Sequence, residues 1–380
     1  MKKKEAKKKI QWQQYIAVAF FMLIGGVCGV LMAQYIDKNA QPGTSGRENL
    51  FSLACLFVGM YVAIFIQLII HESGHLVFGL LSGYKFSSFR IFSFMWVKEN
   101  EKIRLRRLSI AGTGGQCLMS PPDVKDGKLP LVLYNLGGSL MNVIASALLF
   151  VLYIFTKNIP FLSVMLLMCA IVGIVIAIMN GVPMRLGTVD NDGYNAFSLT
   201  RNSEAMRSFW IQMKVNEQLT KGVRLKDMPD EWFVVPSDEA MKNSMVVVMG
   251  IFACNRLMDK QDFPEADKLM EHIMSIDSGV VGLHRSLMVC DRMYIEMISE
   301  NRKEVIDGML TKEQKQFMKQ MKKFPSVLRT EYVLALLHDK DNEKAEQIKT
   351  LFEKCAKSYP YQNDVESERE LMDIDKIKLL

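Results

Sequence analysis

The hydrophobic pattern divides the chain into an apolar first half and a charged, amphipathic second half. Beyond residue 201, apolar positions recur at helical spacing and short polar turns separate the segments. A helix needs roughly 20 residues to cross a hydrocarbon core of about 30 Å. Four stretches in the first half are long enough, and they cover residues 15–36, 51–82, 131–155 and 161–179. The pattern therefore predicts a helical membrane domain followed by a helical domain in water.

A different pattern separates the second and third apolar stretches. Apolar and polar residues alternate in part from Lys85 to Phe94, a charged turn follows at residues 98–102, and the alternation resumes at Ile103. Such alternation on both sides of a turn is typical of a β-hairpin. We expect this hairpin to lie against the cytoplasmic membrane face, with its end made flexible by the glycine-rich residues 111–115.

The second half contains two similar segments. Residues 257–269 and 337–345 each place a polar turn between two helical segments, and residues 292–305 resemble a degenerate middle copy. Helix–turn–helix units of about 34–40 residues are typical of tetratricopeptide-like arrays. A plain helical bundle explains the same pattern equally well, and either architecture predicts an interaction domain for a cytoplasmic protein partner.

Lysine and arginine positions predict the orientation. They concentrate before the first stretch and between the second and third stretches, and loops rich in these residues stay on the cytoplasmic side. Both termini are therefore expected in the cytoplasm. The net charge of +6 follows from these positions and does not indicate a nucleic-acid partner. The predicted fold is mainly α, with a basic N-terminus (1–14), a transmembrane domain (15–200) and a cytoplasmic helical domain (201–380).

The second apolar stretch ends in the residues that carry chemistry. His71-Glu72-Ser73-Gly74-His75 is an HExxH sequence, which on a helix puts two imidazoles on one face beside a carboxylate and suits zinc. Burying such groups in a membrane costs several kcal/mol unless they are paired or bound to a metal. A hydrogen-bonded polar cluster between helices is the alternative interpretation.

Catalytic zinc takes three protein ligands, so one more is required. Both histidines of the membrane half already belong to the HExxH sequence. The fourth stretch ends on the same predicted membrane side and is followed by Asp190 and Asp192. An aspartate at this end can reach the metal, although an Asp-Gly pair is also common in exposed turns.

Taken together, these motifs resemble the site-2 protease family of intramembrane zinc metalloproteases over about residues 50–200. The resemblance rests on the HExxH sequence, the Asn180-Gly181-Val182-Pro183 segment with a later Asp-Gly, and Gly138-Ser139-Leu140-Met141-Asn142 in the intervening stretch. The aspartate lies farther from Asn180 than is usual in the family, and Ser139 stands where a proline is expected. Asp190 competes with Asp192 as the ligand, and Asp192 is preferred because Gly193 follows it.

The resemblance implies a role for each matching residue. His71, His75 and Asp192 would bind one Zn²⁺ per chain, and Glu72 would activate water. Asn142 and Asn180 would support the site or the substrate backbone, or would join helices by hydrogen bonds.

The implied function is hydrolysis of a peptide bond in or near the transmembrane segment of a membrane-protein or signal-peptide substrate. Regulated intramembrane proteolysis and maturation of a peptide signal are both consistent with it, in a multi-pass protein of a bacterial cell membrane. The alternative is a catalytically inactive membrane scaffold whose helical domain recruits partners. A zincin acting outside the membrane and a metal transporter fit the sequence less well.

Overall fold

The computed structural model describes residues 12–39, 46–99, 101–110, 113–124, 127–186 and 189–373. The chain forms two compact units. Unit 1 comprises Met1–Ser82 and Pro130–Arg201, and unit 2 comprises Gly83–Leu129 and Asn202–Leu380. The segment that the sequence pattern assigns to a hairpin thus groups with the C-terminal half, whereas the sequence-based boundaries include it in residues 15–200.

The elements alternate between helices and short strands only in the first half. The helices are α1 (Trp12–Asn39), α2 (Gly46–Leu81), α3 (Leu131–Phe155), α4 (Pro160–Gly181), α5 (Asp192–Ser198), α6 (Ser203–Thr220), α7 (Val247–Asp259), α8 (Phe263–Ser275), α9 (Gly282–Ile298), α10 (Lys303–Met309), α11 (Lys312–Gln320), α12 (Pro325–Val333), α13 (Asn342–Ala356) and α14 (Gln362–Met372). The strands are β1 (Lys85–Ile91), β2 (Phe94–Glu99), β3 (Lys102–Arg107), β4 (Gly115–Ser120), β5 (Arg185–Leu186) and β6 (Val189–Asp190). The prediction of a mainly helical fold with a small antiparallel sheet is confirmed.

Three helices of unit 1 are long and apolar enough to cross a membrane. Within the described residues these are α2, α3 and α4. The sequence predicts a fourth span at residues 15–36, which lies inside the 28-residue helix α1. That helix is not among the three, so the number of spans stays a prediction.

Several polar side chains are buried in the interior of unit 1, while many of its large apolar side chains face outward. Gln67 and Asn142 are fully buried, whereas Phe51 of α2 and Phe155 of α3 are exposed. A protein in water shows the opposite distribution, because its apolar side chains leave the solvent. In a bilayer the polar groups must find partners inside the protein, and lipid covers the apolar surface.

The predicted hairpin is part of a larger antiparallel sheet in unit 2. The four strands are ordered β3-β2-β1-β4, with Phe89 of β1 opposite Trp96 of β2 and Cys117 of β4. The prediction of a two-stranded hairpin was incomplete. The glycine-rich residues before β4 were interpreted as the end of the hairpin, although the sheet continues with β4. Helix α6 contacts this sheet, where Trp210 Nε1 donates to the Pro122 carbonyl at 3.0 Å.

Three helix pairs follow in unit 2: α7 with α8, α9 with α10, and α12 with α13. Each connecting turn contains a residue with positive φ, and these are Gln261, Asn301 and Lys340. A left-handed residue after a helix is a common way to end it. The turns therefore recur at about 40 residues, the spacing expected for a helical repeat. The tetratricopeptide-like class itself stays a prediction.

Candidate metal centre and active site

Three side chains from two separate parts of unit 1 meet at one point. Nε2 of His71 lies 3.1 Å from Oδ2 of Asp192, and Nε2 of His75 lies 3.3 Å from the same oxygen. The two Nε2 atoms are 3.3 Å apart. Both histidines are buried and Asp192 is half-buried. Among the described residues, these three form the one group of potential metal-binding side chains in which all the ligand atoms lie within 4.8 Å of one another.

The dimensions of this triangle fit a zinc ion. Tetrahedral zinc binds nitrogen and oxygen at about 2.0–2.2 Å, which separates its ligand atoms by roughly 3.3–3.5 Å. The observed separations of 3.1–3.3 Å are close to that value. Two imidazoles and one carboxylate also match the donor set of catalytic zinc sites, which leave a fourth position for water.

The Nδ1 contact of each imidazole, on the side of the ring away from Asp192, determines which ring nitrogen carries the proton. His75 Nδ1 lies 2.8 Å from the Tyr134 carbonyl oxygen, which can only accept, so Nδ1 carries the proton. His71 Nδ1 lies 2.7 Å from Oδ1 of Asn142 and donates in the same way. Both Nε2 atoms then direct lone pairs at a carboxylate oxygen. Neutral imidazoles oriented in this way suit a metal ion at the centre, and without a metal a second proton on the rings would offset the same carboxylate charge.

Asn142 is oriented by a residue that sequence reasoning missed. Its Nδ2 donates to the Gln67 backbone carbonyl at 2.9 Å and to Gln67 Oε1 at 2.8 Å, which leaves Oδ1 facing His71. Gln67 Nε2 in turn donates to the Cys169 carbonyl of α4 at 3.0 Å. Gln67 was missed because its side chain is uncharged. A single amide side chain in an apolar helix, one turn before His71, was nevertheless a usable signal.

Glycines bring α2 and α3 close enough for these contacts. A Cβ on Gly137 would lie 2.7 Å from the Gly74 carbonyl oxygen, so the two helices touch through their backbones there. A Cβ on Gly138 would lie 2.6 Å from Nε2 of His71. The imidazole therefore lies directly over Gly138, in space that any larger residue would occupy. Gly74 lies inside the HExxH sequence and Gly138 begins the Gly138–Asn142 segment, whereas Gly137 belongs to neither.

Asp192 is placed by the start of α5. The preceding Asn191 accepts from Tyr194 N at 2.9 Å through Oδ1, and its Nδ2 donates to the carbonyl oxygens of Met179 and Val182 at 2.7 and 2.6 Å. This one side chain both caps α5 and ties it to the end of α4. Sequence reasoning missed Asn191, although an asparagine before a short helix is a recognisable cap signal.

The ionisation of Asp192 suits a ligand. Burial by itself would raise the pKa of its carboxyl, but attraction to the two imidazoles in their protonated, metal-free form, and the hydrogen bonds that they then donate, hold that pKa below its ordinary value. The group is therefore an anion at neutral pH.

The other predicted residues occupy different positions. Asp190 ends β6 and is not part of the three-residue group. Asn180 donates from Nδ2 to the Ile176 carbonyl of its own helix at 3.0 Å, and no described contact brings it to the imidazoles. The structure thus brings Asn142, and not Asn180, to the histidines.

A comparison with protein-family models identifies the group to which these residues belong. The model of peptidase family M50 matches residues 59–330, which is more than half of the chain. The chain belongs to peptidase family M50, the site-2 protease family. The match confirms the resemblance to the site-2 protease family. It continues past residue 200, where the resemblance found in the sequence ended, to residue 330. No curated protein and no solved structure matches the chain.

Membership of family M50 has general consequences for this chain. It implies a membrane metalloprotease, and proteases of the family are generally zinc-dependent. Together with the apolar helices of unit 1, it indicates an integral membrane protein, and the substrates that the family suggests are embedded in the membrane.

Glu72 completes the candidate site of this M50 chain. It follows His71 on α2 and is 7% exposed. It precedes His75 by three residues on the same helix, which places the two side chains on neighbouring positions of its surface. A buried carboxylate next to a metal site is positioned to exchange a proton with water held there.

Proposed function

We propose that this chain is an intramembrane zinc metalloprotease that hydrolyses a peptide bond in or near the transmembrane segment of a membrane-protein or signal-peptide substrate. The observation that carries the proposal is the triangle of three ligand atoms 3.1–3.3 Å apart, buried among apolar helices and adjacent to Glu72 in sequence. A metal and a carboxylic acid–base in one buried site are the minimum requirement for metal-assisted amide hydrolysis.

His71, His75 and Asp192 would hold one zinc ion per chain. Bound there, zinc would supply a Lewis acid and lower the pKa of its bound water to about 7. The chain's own contribution is to hold the two imidazoles in one orientation and one tautomer. The contacts of His71 with Asn142 and of His75 with the Tyr134 carbonyl accomplish this on the side away from the metal.

Glu72 would act as general base and then as general acid. Its carboxylate takes a proton from the attacking water and delivers that proton to the amine that leaves when the peptide bond breaks. The low polarity around α2 strengthens every electrostatic contact in the site, because little water competes for these groups.

The cellular setting is part of the same proposal. Both termini lie in the cytoplasm of a bacterial cell, the substrate is either a membrane-bound regulator or a peptide-signal precursor, and the helical half of unit 2 recruits a cytoplasmic partner. The distribution of lysine and arginine supports the orientation. The three recurring turns of unit 2 support the interaction role.

Zinc content and cleavage, measured on the same preparations, test this function. The purified chain in detergent would be assayed with a fluorogenic transmembrane peptide, in wild type, Glu72→Gln, Asp192→Ala and Asp190→Ala. We expect Glu72→Gln to keep zinc and lose cleavage, and Asp192→Ala to lose both. Asp190→Ala is the matched control and should retain both.

Two results would reject the proposal. Unchanged zinc binding in Asp192→Ala would place the third ligand elsewhere. Zinc binding without cleavage in wild type, together with an unaltered cellular phenotype in Glu72→Gln, would favour the inactive scaffold.

A further inference from the structure

Unit 2 contains a cavity of its own, separate from the metal centre of unit 1. Its volume is about 270 Å³, and residues from α6, α7, α9, α12 and α14 line it. The wall is mixed, with large apolar side chains such as Phe252 and Leu287 beside charged groups. Pockets that bind small organic molecules combine an apolar wall with a few placed polar groups in this way.

The charged groups of the wall are predominantly acidic. Two guanidinium groups, Arg224 and Arg329, face four carboxyl groups, which belong to Asp259, Asp291, Asp364 and Glu368. Arg224 binds Asp259 and also Glu370, and Arg329 binds Asp291 and Glu368. The positive charge of both arginines is thus already matched.

Asp364 is the acid without a partner. No described residue donates a hydrogen bond to it or forms an ion pair with it, and it lies in the first turn of α14. Burial and the charges of Glu368 and Asp259 raise its pKa to about 7. A carboxylate surrounded by other acids is stabilised by an added cation.

Three buried polar atoms on the wall also lack partners within the described part of the chain, and one of them is Nδ1 of the half-buried His284. Nη1 of Arg329 makes no hydrogen bond, although the residue is 1% exposed. Oδ1 of Asn363 accepts none, while its Nδ2 donates to the Val223 carbonyl at 2.7 Å. An unpaired buried polar group costs about 1–3 kcal/mol of stability, so a ligand that pairs with Arg329 Nη1 and Asn363 Oδ1 is favoured.

We propose that this cavity binds an organic primary ammonium ion whose apolar body also carries a carbonyl oxygen. The ammonium group would pair with Asp364 and donate to Asn363 Oδ1, and the carbonyl oxygen would accept from Arg329 Nη1. A neutral carbonyl suits Arg329 better than a second carboxylate, because two acids already surround that arginine. An inorganic cation would leave Arg329 Nη1 unpaired and the apolar wall unused.

This chemistry occurs at a peptide N-terminus and on a lysine side chain, and two probes distinguish the sources. Leucinamide carries the ammonium next to a carbonyl, and Nα-acetyl-lysinamide carries it at the end of a four-carbon chain. Nα-acetyl-norleucinamide has the same apolar body and carbonyls without the ammonium. Each would be titrated calorimetrically into the full chain in detergent, with calcium chloride as the inorganic arm.

Two variants locate the binding. Asp364→Asn keeps the shape of the side chain and removes its charge, and we expect at least tenfold weaker binding of the better ammonium probe. Asp227→Asn is the matched control, since Asp227 is exposed and lies outside the wall of the cavity. It should bind as wild type does.

The outcomes separate clearly. Tighter binding of leucinamide assigns the cavity to a peptide N-terminus, and tighter binding of acetyl-lysinamide assigns it to lysine. Four results would overturn the proposal. The norleucine compound could bind as tightly as the ammonium probes, or Asp364→Asn could bind the better ammonium probe as tightly as wild type does. Calcium could be the one probe that binds, or no probe could bind at concentrations up to on the order of 10 mM.

Discussion

Nδ1 of His71 lies 2.7 Å from Oδ1 of Asn142, so a side chain of α3 holds a histidine of α2 in one orientation. This contact determines which imidazole nitrogen is free to face Asp192. It also connects the site to the fully buried amide of Gln67, and through it to α4. Four helices thus contribute to one metal centre, although the HExxH sequence belongs to only one of them.

Replacement of Asn142 by leucine should weaken zinc binding by about 10–100-fold, the usual effect of losing an outer contact of a metal-bound histidine. The reason is that His71 Nδ1 would lose its acceptor and the ring could rotate. Competition with a chromogenic chelator measures the affinity. Asn180→Leu is the matched control, because the described hydrogen bond of the Asn180 side chain goes to Ile176 of its own helix, and it should change the affinity little. Equal losses in the two variants would contradict this role for Asn142.

Gln67→Leu should also weaken zinc binding, by a smaller factor than Asn142→Leu. The described hydrogen bonds of Gln67 reach Asn142 and Cys169 and neither imidazole, so we expect it to act by orienting the amide of Asn142. Its effect should therefore vanish once Asn142 is absent, and the double variant should bind zinc as Asn142→Leu does. Chelator competition on the four proteins gives this cycle. Fully additive losses would show that Gln67 acts by a separate route.

Gly138→Ala should displace His71 and reduce both zinc content and cleavage, because the added Cβ would lie 2.6 Å from Nε2 of the imidazole. The matched control is Gly25→Ala in α1, where no atom of the described residues outside the adjoining helix backbone lies within 4 Å of the added Cβ. Alanine favours helices over glycine by up to about 1 kcal/mol, so the control should be neutral or slightly stabilising. Metal analysis and thermal unfolding would be compared for both. Full zinc occupancy in Gly138→Ala would show that the ring has room to move.

The contribution of Asp364 to the stability of unit 2 should become less favourable as the pH rises from about 4 to about 7. The pKa of Asp364 is raised from 3.8 to about 7 in the folded chain by burial and by the charges of Glu368 and Asp259, with Arg224 opposing. In this range the folded state binds more protons than the unfolded state, so raising the pH favours unfolding. Asp364→Asn should flatten this dependence and be the more stable protein above pH 7. Urea midpoints, followed by tryptophan fluorescence at several pH values, would check this. Parallel curves for the two proteins would contradict it.

The local sequence pattern was sufficient to predict the membrane helices and part of the candidate metal site. The apolar stretches predicted α2, α3 and α4, and HExxH spacing predicted two imidazoles on one face of α2. Both inferences depend only on the periodicity of a helix. Strand β4 was missed because a strand paired along one edge of a sheet carries little signal in its own sequence, and glycines precede it.

The sequence by itself determined that the first half is apolar, that it carries an HExxH sequence and that an aspartate follows the last span. These features are properties of short segments, and helical geometry translates them directly into structure. Only the tertiary structure decided that Asn142 rather than Asn180 meets His71, that Gln67 orients it, and that Asp192 rather than Asp190 lies beside the imidazoles. Those choices depend on the depth and rotation at which helices pack, which the contact of Gly74 with Gly137 sets and no single segment encodes.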